Sequence, residues 1–225
     1  MNKQVLTQNL FEPLGLVTTA NVSIDPGDGN LVVDGAINNE QLLASGTLQY
    51  LEKSGLPTWS VNTGDDATNF RIQAAGKVQP WFRLPWSACN GATEWHIHLN
   101  HRIPSEISAH SDGGNIRLDL TGMPVMHVSA DTGGGNVEVT LPDPKARISL
   151  TAKSGAGNVV VRLLAGTQAR ILATTGLGKL ILSPRFSKLD TNLYQSSEYD
   201  DAERRVELTL SSGAGNVVVE EYTAQ

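Results

Sequence analysis

Aromatic residues make up only 5% of this 225-residue chain, and Cys89 is its one cysteine. The first scarcity argues against a thick core of large rings; with 40% hydrophobic residues, a thin core of Val, Leu, Ile and Ala fits better. The second excludes an internal disulfide and leaves the compartment open. No apolar run reaches the ~18 residues of a membrane span, and the opening MNKQVLTQNLFEPLGLV lacks the apolar stretch of a signal peptide. The chain therefore reads as soluble, either cytoplasmic or the soluble part of an envelope-associated protein. A net charge of −6 is modest and scattered, and without a Lys/Arg stripe nucleic acid is not an expected partner.

Glycine is what the chain has in plenty, 22 in all, and its placement is regular. The stretch Ser149–Val161 (SLTAKSGAGNVVV) ends in Gly157-Asn158 and returns as GAGNVVV around Gly215-Asn216. Looser copies centre on Gly29-Asn30, Gly114-Asn115, Gly135-Asn136 and Gly178-Lys179. From Asn115 the Asn or Lys recurs after 21, 22, 21 and 37 residues, a period that marks a solenoid. Eight and six residues before it stand pairs such as Val128 and Ala130; one and three after it stand pairs such as Val137 and Val139. Apolar residues two apart on each side of a Gly-rich corner predict two short strands, each with one buried face. The glycine before each Asn is expected to hold a bend with φ > 0, and the Asn to hydrogen-bond the corner's backbone. The fold class expected is all-β: a single-stranded, right-handed β-helix of roughly seven to nine coils, turned at Gly-Asn corners and stacked ~4.8 Å apart.

Residues 1–17 read as a leading arm broken at Pro13, and 18–225 as one solenoid domain. Within it, 18–92 are irregular coils and 93–225 regular ones, with an insertion at about 184–204. Trp95, Ile97 and Leu99 take the places after a corner near Glu94; Phe70 and Ile72 are assigned the same role after Asn69, and Leu48 and Tyr50 after Ser45-Gly46. The outward column two past the corner turns apolar at Val160, Ile181 and Val218, so the insertion, with Phe186, Leu189, Leu193, Tyr194 and Tyr199, is expected to lie over it.

The run Leu14–Gln49 resembles the opening of the toast-rack domain of bacterial cell-wall-active antibiotic response proteins and their envelope-stress relatives. The later (S/T)-G-A-G-N-V-x-V coils, with Leu120-Thr-Gly-Met-Pro124, resemble the rest of that domain and equally the adhesin-like β-solenoids of bacteria. The resemblance spans most of the chain, excepting 184–204 and 80–91. It implies a β-helix with no established enzymatic activity, often beside membrane segments, which this sequence lacks.

Candidate chemistry is sparse. His96 and His98 share a strand face opposite Trp95, Ile97 and Leu99, with His101 beyond. Two such histidines can chelate, but no Cys or carboxylate completes a ligand spacing, so surface histidines and no metal are expected. The Gly corners lead into strands, not helices, and carry no Lys-Ser/Thr, which sets aside a phosphate cradle. Their period and neutral Asn also set aside calcium repeats. Hydroxyl columns fall four before the Asn (Ser111, Thr132, Ser154, Thr175, Ser212) and seven before it (Ser108, Ser129, Thr151, Thr209). No nucleophile elbow or acidic pair forms a catalytic constellation, so neither catalytic residues nor a cofactor is expected. The expected function is a non-enzymatic structural or interaction module of a bacterial envelope-associated, adhesin-like protein. It would contact a protein or envelope component, with self-association open to it. The alternative is a carbohydrate-binding or carbohydrate-active β-helix using Trp81 and Trp86.

Overall fold

The computed structural model describes residues 4–35, 41–64, 67–75 and 93–223. Among these the regular structure is strand, apart from a 3-10 turn at Glu52–Ser54, and no helix is long and apolar enough to cross a membrane. After β1 (Val5–Pro13) come β2 (Ala20–Asp25), β3 (Asn30–Asp34), β4 (Leu42–Leu51), β5 (Thr58–Thr63), β6 (Thr68–Gln73) and β7 (Glu94–Leu99). A run of regular pairs follows: β8 (Ser105–Ser111) with β9 (Ile116–Asp119), and β10 (Val125–Thr132) with β11 (Val137–Thr140). Next are β12 (Arg147–Ser154) with β13 (Val159–Leu164), and β14 (Gln168–Thr175) with β15 (Leu180–Leu182). Two short strands, β16 (Ser187–Asp190) and β17 (Leu193–Gln195), precede the last pair, β18 (Arg205–Ser212) and β19 (Val217–Tyr222).

The first strand of each pair joins a ten-stranded front sheet, ordered β16-β17-β14-β18-β12-β10-β8-β2-β6-β5. The second joins a nine-stranded back sheet, ordered β1-β4-β7-β3-β9-β11-β13-β19-β15. Alternation makes each sheet one-sided: Val137 and Val139 are buried while Glu138 and Thr140 are not, and on β10 Val128 and Ala130 are buried. Register stacks like on like, Val137 between Ile116 and Val159, Val128 between Ile107 and Leu150. The inward side chains of both sheets form one apolar cluster. Each buried Val, Leu or Ile contributes roughly 1.5–3 kcal/mol, too little per coil to offset chain entropy without neighbours.

The coils do not stack in sequence order. Along the back sheet the first pair's strand β3 lies between β7 and β9, and the last pair's strand β19 between β13 and β15. A single-stranded winding from end to end is thereby corrected. Every coil presents the same two apolar columns, so any coil can seat on any other, and the longer segment before β18 lets the chain step over β14 and β15.

Trp95 does hold the expected place, paired with Leu31. Phe70 and Ile72 do not. They pair with Val22 and Ile24 in the front sheet, so they precede a corner. Leu48 and Tyr50 belong to β4, which runs antiparallel to both β1 and β7 and forms no coil. A period of two is the same in either sheet and either direction, so spacing alone cannot separate these cases. Of residues 1–17, Val5–Pro13 form the edge strand β1. The insertion also lies elsewhere than expected. Its β17 pairs with β14 and β16 with β17, extending the front sheet, and Phe186 enters the core. The column at Val160, Val218 and Ile181 is on the back sheet, where Ile181 is 49% exposed.

Candidate functional site

Gly114, Gly135, Gly157, Gly178 and Gly215 are not among the glycines of positive φ, which are Gly15, Gly27, Gly55, Gly122 and Gly166. The expected left-handed bend is therefore corrected. What demands glycine is the coil beneath: a Cβ on Gly135 would stand 2.2 Å from the Gly114 carbonyl oxygen, and one on Gly157 2.1 Å from that of Gly135. The Asn beside each glycine links one coil to the next. The Asn136 N–H donates to Asn115 Oδ1 (2.8 Å), Asn158 to Asn136 (2.8 Å), and Asn216 to Asn158 (2.8 Å). At one end Asn115 N–H donates to Asn30 Oδ1, and at the other Lys179 N–H donates to Asn216 Oδ1.

The two hydroxyl columns differ in use. Thr132 Oγ1 donates to the Gly114 carbonyl (2.7 Å) and accepts from its own coil's Gly135 N–H (3.2 Å). Ser111, Ser154, Thr175 and Ser212 make the equivalent pairs. That column is saturated by backbone. The outer column consists of Ser108, Ser129, Thr151 and Thr209, with Ser23 in register on β2. These hydroxyls bond no other described residue.

Ser23, Ser108, Ser129 and Thr151 lie along a trough of about 500 Å³ on the outer front face, crossing β6, β2, β8, β10 and β12. One wall carries Asn21, which donates to Asn69 Oδ1 (3.1 Å), and His127, 3.9 Å from Glu106. Arg71 stands at the β6 end, and no described residue pairs with its guanidinium. Interior strands spend their backbone groups on the ladders, so only side chains are offered to a ligand here. A larger apolar cleft of about 940 Å³ runs along the return loops past Met123, Met126, Pro142 and Tyr222. Its Arg162 is already held by Glu138 and Glu220, and the Tyr222 hydroxyl by the Leu141 carbonyl, which leaves the trough as the better site for a polar ligand.

At the β12 end of the trough Ser149 pairs with Glu207 of β18, and Glu207 is held by Tyr199, a residue of the insertion. Its hydroxyl donates to Glu207 Oε1 (2.6 Å), and its ring lies under Arg170 (4.4 Å) and Arg205 (5.4 Å). Burial, then the hydrogen bond to Glu207, pushes the Tyr199 hydroxyl up to about 12. The same bond, with Arg147 beside it, holds the Glu207 carboxyl below its ordinary value. Nothing in the sequence marks Tyr199 for this, because the partner strand is assigned only by the stack.

His96 and His98 project from the outer back face. His96 contacts Glu94, and His98 Nδ1 is 2.6 Å from Asp34 Oδ1. Among the described residues no group of three or more His, Cys, Asp or Glu is arranged to hold a metal. Trp81 and Trp86 lie outside the described residues. Trp95 is buried, its indole donating to the Gln49 carbonyl.

Among solved structures, a putative cell adhesion protein from Clostridium sporogenes superposes with a TM-score of 0.84 at 23% identity, over 98% of this chain and 100% of that one. A putative adhesin from Bacteroides fragilis, at 10% identity over 97% and 98% of the two chains, reaches a TM-score of 0.37. No curated protein matches. The family model of the N-terminal domain of toast_rack, DUF2154, matches residues 2–162. The chain belongs to the toast_rack N-terminal domain family.

Proposed function

We propose that the chain is a non-enzymatic interaction module of a bacterial envelope-associated, adhesin-like protein, and that the front-face trough is its contact surface. The observation that carries this is the contrast between the two hydroxyl columns. The inner one is consumed by the stack, and the outer one, of the same residue types, faces a trough with no partner in the described chain. Row upon row of Ser and Thr at the strand spacing suits an extended polar polymer or surface, with Arg71 available for a carboxylate or phosphate. The scaffold is read as a right-handed solenoid, and its turns are placed at the Gly-Asn positions because the amide ladder crosses there. Membership in the family and the fold shared with a cell adhesion protein agree with an interaction role.

Filling the trough tests it. Ser108→Arg and Ser129→Trp should each abolish retention of the protein on isolated bacterial envelope fragments while leaving its melting temperature unchanged. Retention undiminished in both variants, or no retention of the unaltered protein, would overturn the assignment.

A further inference from the structure

The two sheets end on four edge strands, which differ in how far they invite another strand. At one end lie β15, three residues long, and β16, four exposed residues with Lys188 among them. Short or charged edges resist further pairing. At the other end the front sheet stops at β5, and the back sheet runs one strand further, through β4 to β1. β1 is nine residues long, carries no Lys or Arg, and pairs among the described strands with β4 alone.

Hydrogen-bond parity tells which residues of β1 face the open edge. The Glu52 N–H donates to the Gln4 carbonyl (3.0 Å), so alternation spends the backbone groups of Leu6, Gln8 and Leu10 on β4. Those of Val5, Thr7, Asn9 and Phe11 point the other way. The side chains of these four residues lie on the outer face, where Val5 is 44% and Phe11 63% exposed. Gln8, at the middle of the strand, shares the inward side with the buried Leu10, and its Oε1 is buried without a hydrogen-bond partner among the described residues.

We infer that β1 pairs antiparallel with β1 of a second copy of this chain, about a two-fold axis through Gln8. In that register Val5 and Thr7 stand opposite the partner's Phe11 and Asn9, and reciprocally, so all four residues with open backbone groups enter hydrogen-bonded pairs. The two exposed apolar side chains of the strand then cover each other across the outer face. On the inner face the two Gln8 amides meet on the axis, where the Nε2 of one donates to the Oε1 of the other. An axis through Thr7 or Asn9 keeps the backbone parity but separates Val5 from Phe11. The front sheets do not obstruct the contact: each stops one strand short of β1, which leaves two rows, roughly 10 Å, between the two β5 strands. The contact is isologous and closes at the dimer. Its axis is normal to the back sheet, so both front faces look the same way. The pairing does not rest on the trough, but it turns two troughs towards one surface, where engagement of the first raises the effective concentration of the second.

Sedimentation velocity on the full chain, joined to cross-linking in a Cys89→Ser background, tests this. The unaltered protein should pass from monomer to dimer with rising concentration and go no further. Asn9→Pro removes an N–H that faces the open edge, so it should weaken the dimer by roughly tenfold or more while the dilute monomer melts as before. Mild oxidation should link Gln8→Cys into a covalent dimer, because residues opposite each other lie within disulfide reach. It should leave Thr7→Cys unlinked, because each Thr7 lies opposite the partner's Asn9. A monomer at every concentration, a series of species beyond the dimer, a folded Asn9→Pro protein that dimerises undiminished, or Thr7→Cys linking as readily as Gln8→Cys would overturn the pairing.

Discussion

At Gly135 the difference between glycine and alanine is one methyl group, and the space for it is filled by the Gly114 carbonyl at 2.2 Å. Two other glycines separate the possible causes. Gly134 has no neighbour nearer than 3.5 Å to a built Cβ, and Gly122 has φ +75 with open space around it. In denaturant titrations Gly135→Ala should cost about 2–3 kcal/mol, since packed backbone must move apart. Gly122→Ala should cost about 1 kcal/mol for its left-handed backbone, and Gly134→Ala should fall within about 0.5 kcal/mol of zero. A Gly135→Ala protein as stable as Gly134→Ala would remove close backbone stacking as the reason for the repeat. The Asn beside the glycine has a different use: its Oδ1 serves the next coil's N–H, so a position with no coil beyond it can dispense with the amide. Lys179, on the terminal coil, is that position.

Among the elements, the segment between β15 and β18 departs most from the repeat, and Tyr199 fastens it to the front sheet. The Tyr199 hydroxyl is raised from 10.0 to about 12, so folding favours its protonated form. The sign follows from linkage: this stabilisation is complete below the unfolded value near 10.0 and is lost as pH rises through about 12. Between those limits the loss should be roughly 3 kcal/mol, from about 1.4 kcal/mol per unit. Tyr199→Phe should be less stable at neutral pH, having lost the bond to Glu207, and should show a flatter decline across the alkaline window. Parallel decline in both proteins, followed by urea midpoints at stepped pH, would show that Tyr199 is not the group responsible. Glu207 acts in the opposite direction: its lowered pKa stabilises the fold above the ordinary carboxylate value, and that share is lost as pH falls through the lowered one.

For the whole molecule the consequence of the stack order is that the last strand of the chain is not at the end of the stack. β19, the last strand in sequence, is paired on both sides by β13 and β15, while β15 is an edge. Hydrogen exchange should therefore find β19 amides as slow as those of β11, and β15 amides fast, because exchange follows local opening at edges. Sequential winding requires the reverse, a fast β19 and a protected β15, so mass-resolved exchange on peptides from these two strands decides between the orders.

The sequence by itself determined what is local and repeated. Alternation with period two placed Val128, Ala130, Val137 and Val139 on the buried side, and the recurrence of Gly-Asn told that one unit is used many times. Trp95 was legible too, since its offset from Glu94 matches that of Leu31 from Asn30. Tertiary structure decided which copy touches which. Coils with identical inner columns are interchangeable neighbours, so only the length of the connections and the fit of whole coils select the order that puts β19 beneath β15. It also decided why glycine recurs, because the constraint is the next coil's carbonyl rather than the residue's own backbone angle. The trough was half visible: the outer hydroxyl column can be read from the sequence, but whether a hydroxyl is spent on backbone or left facing outward depends on the distance to the coil beside it.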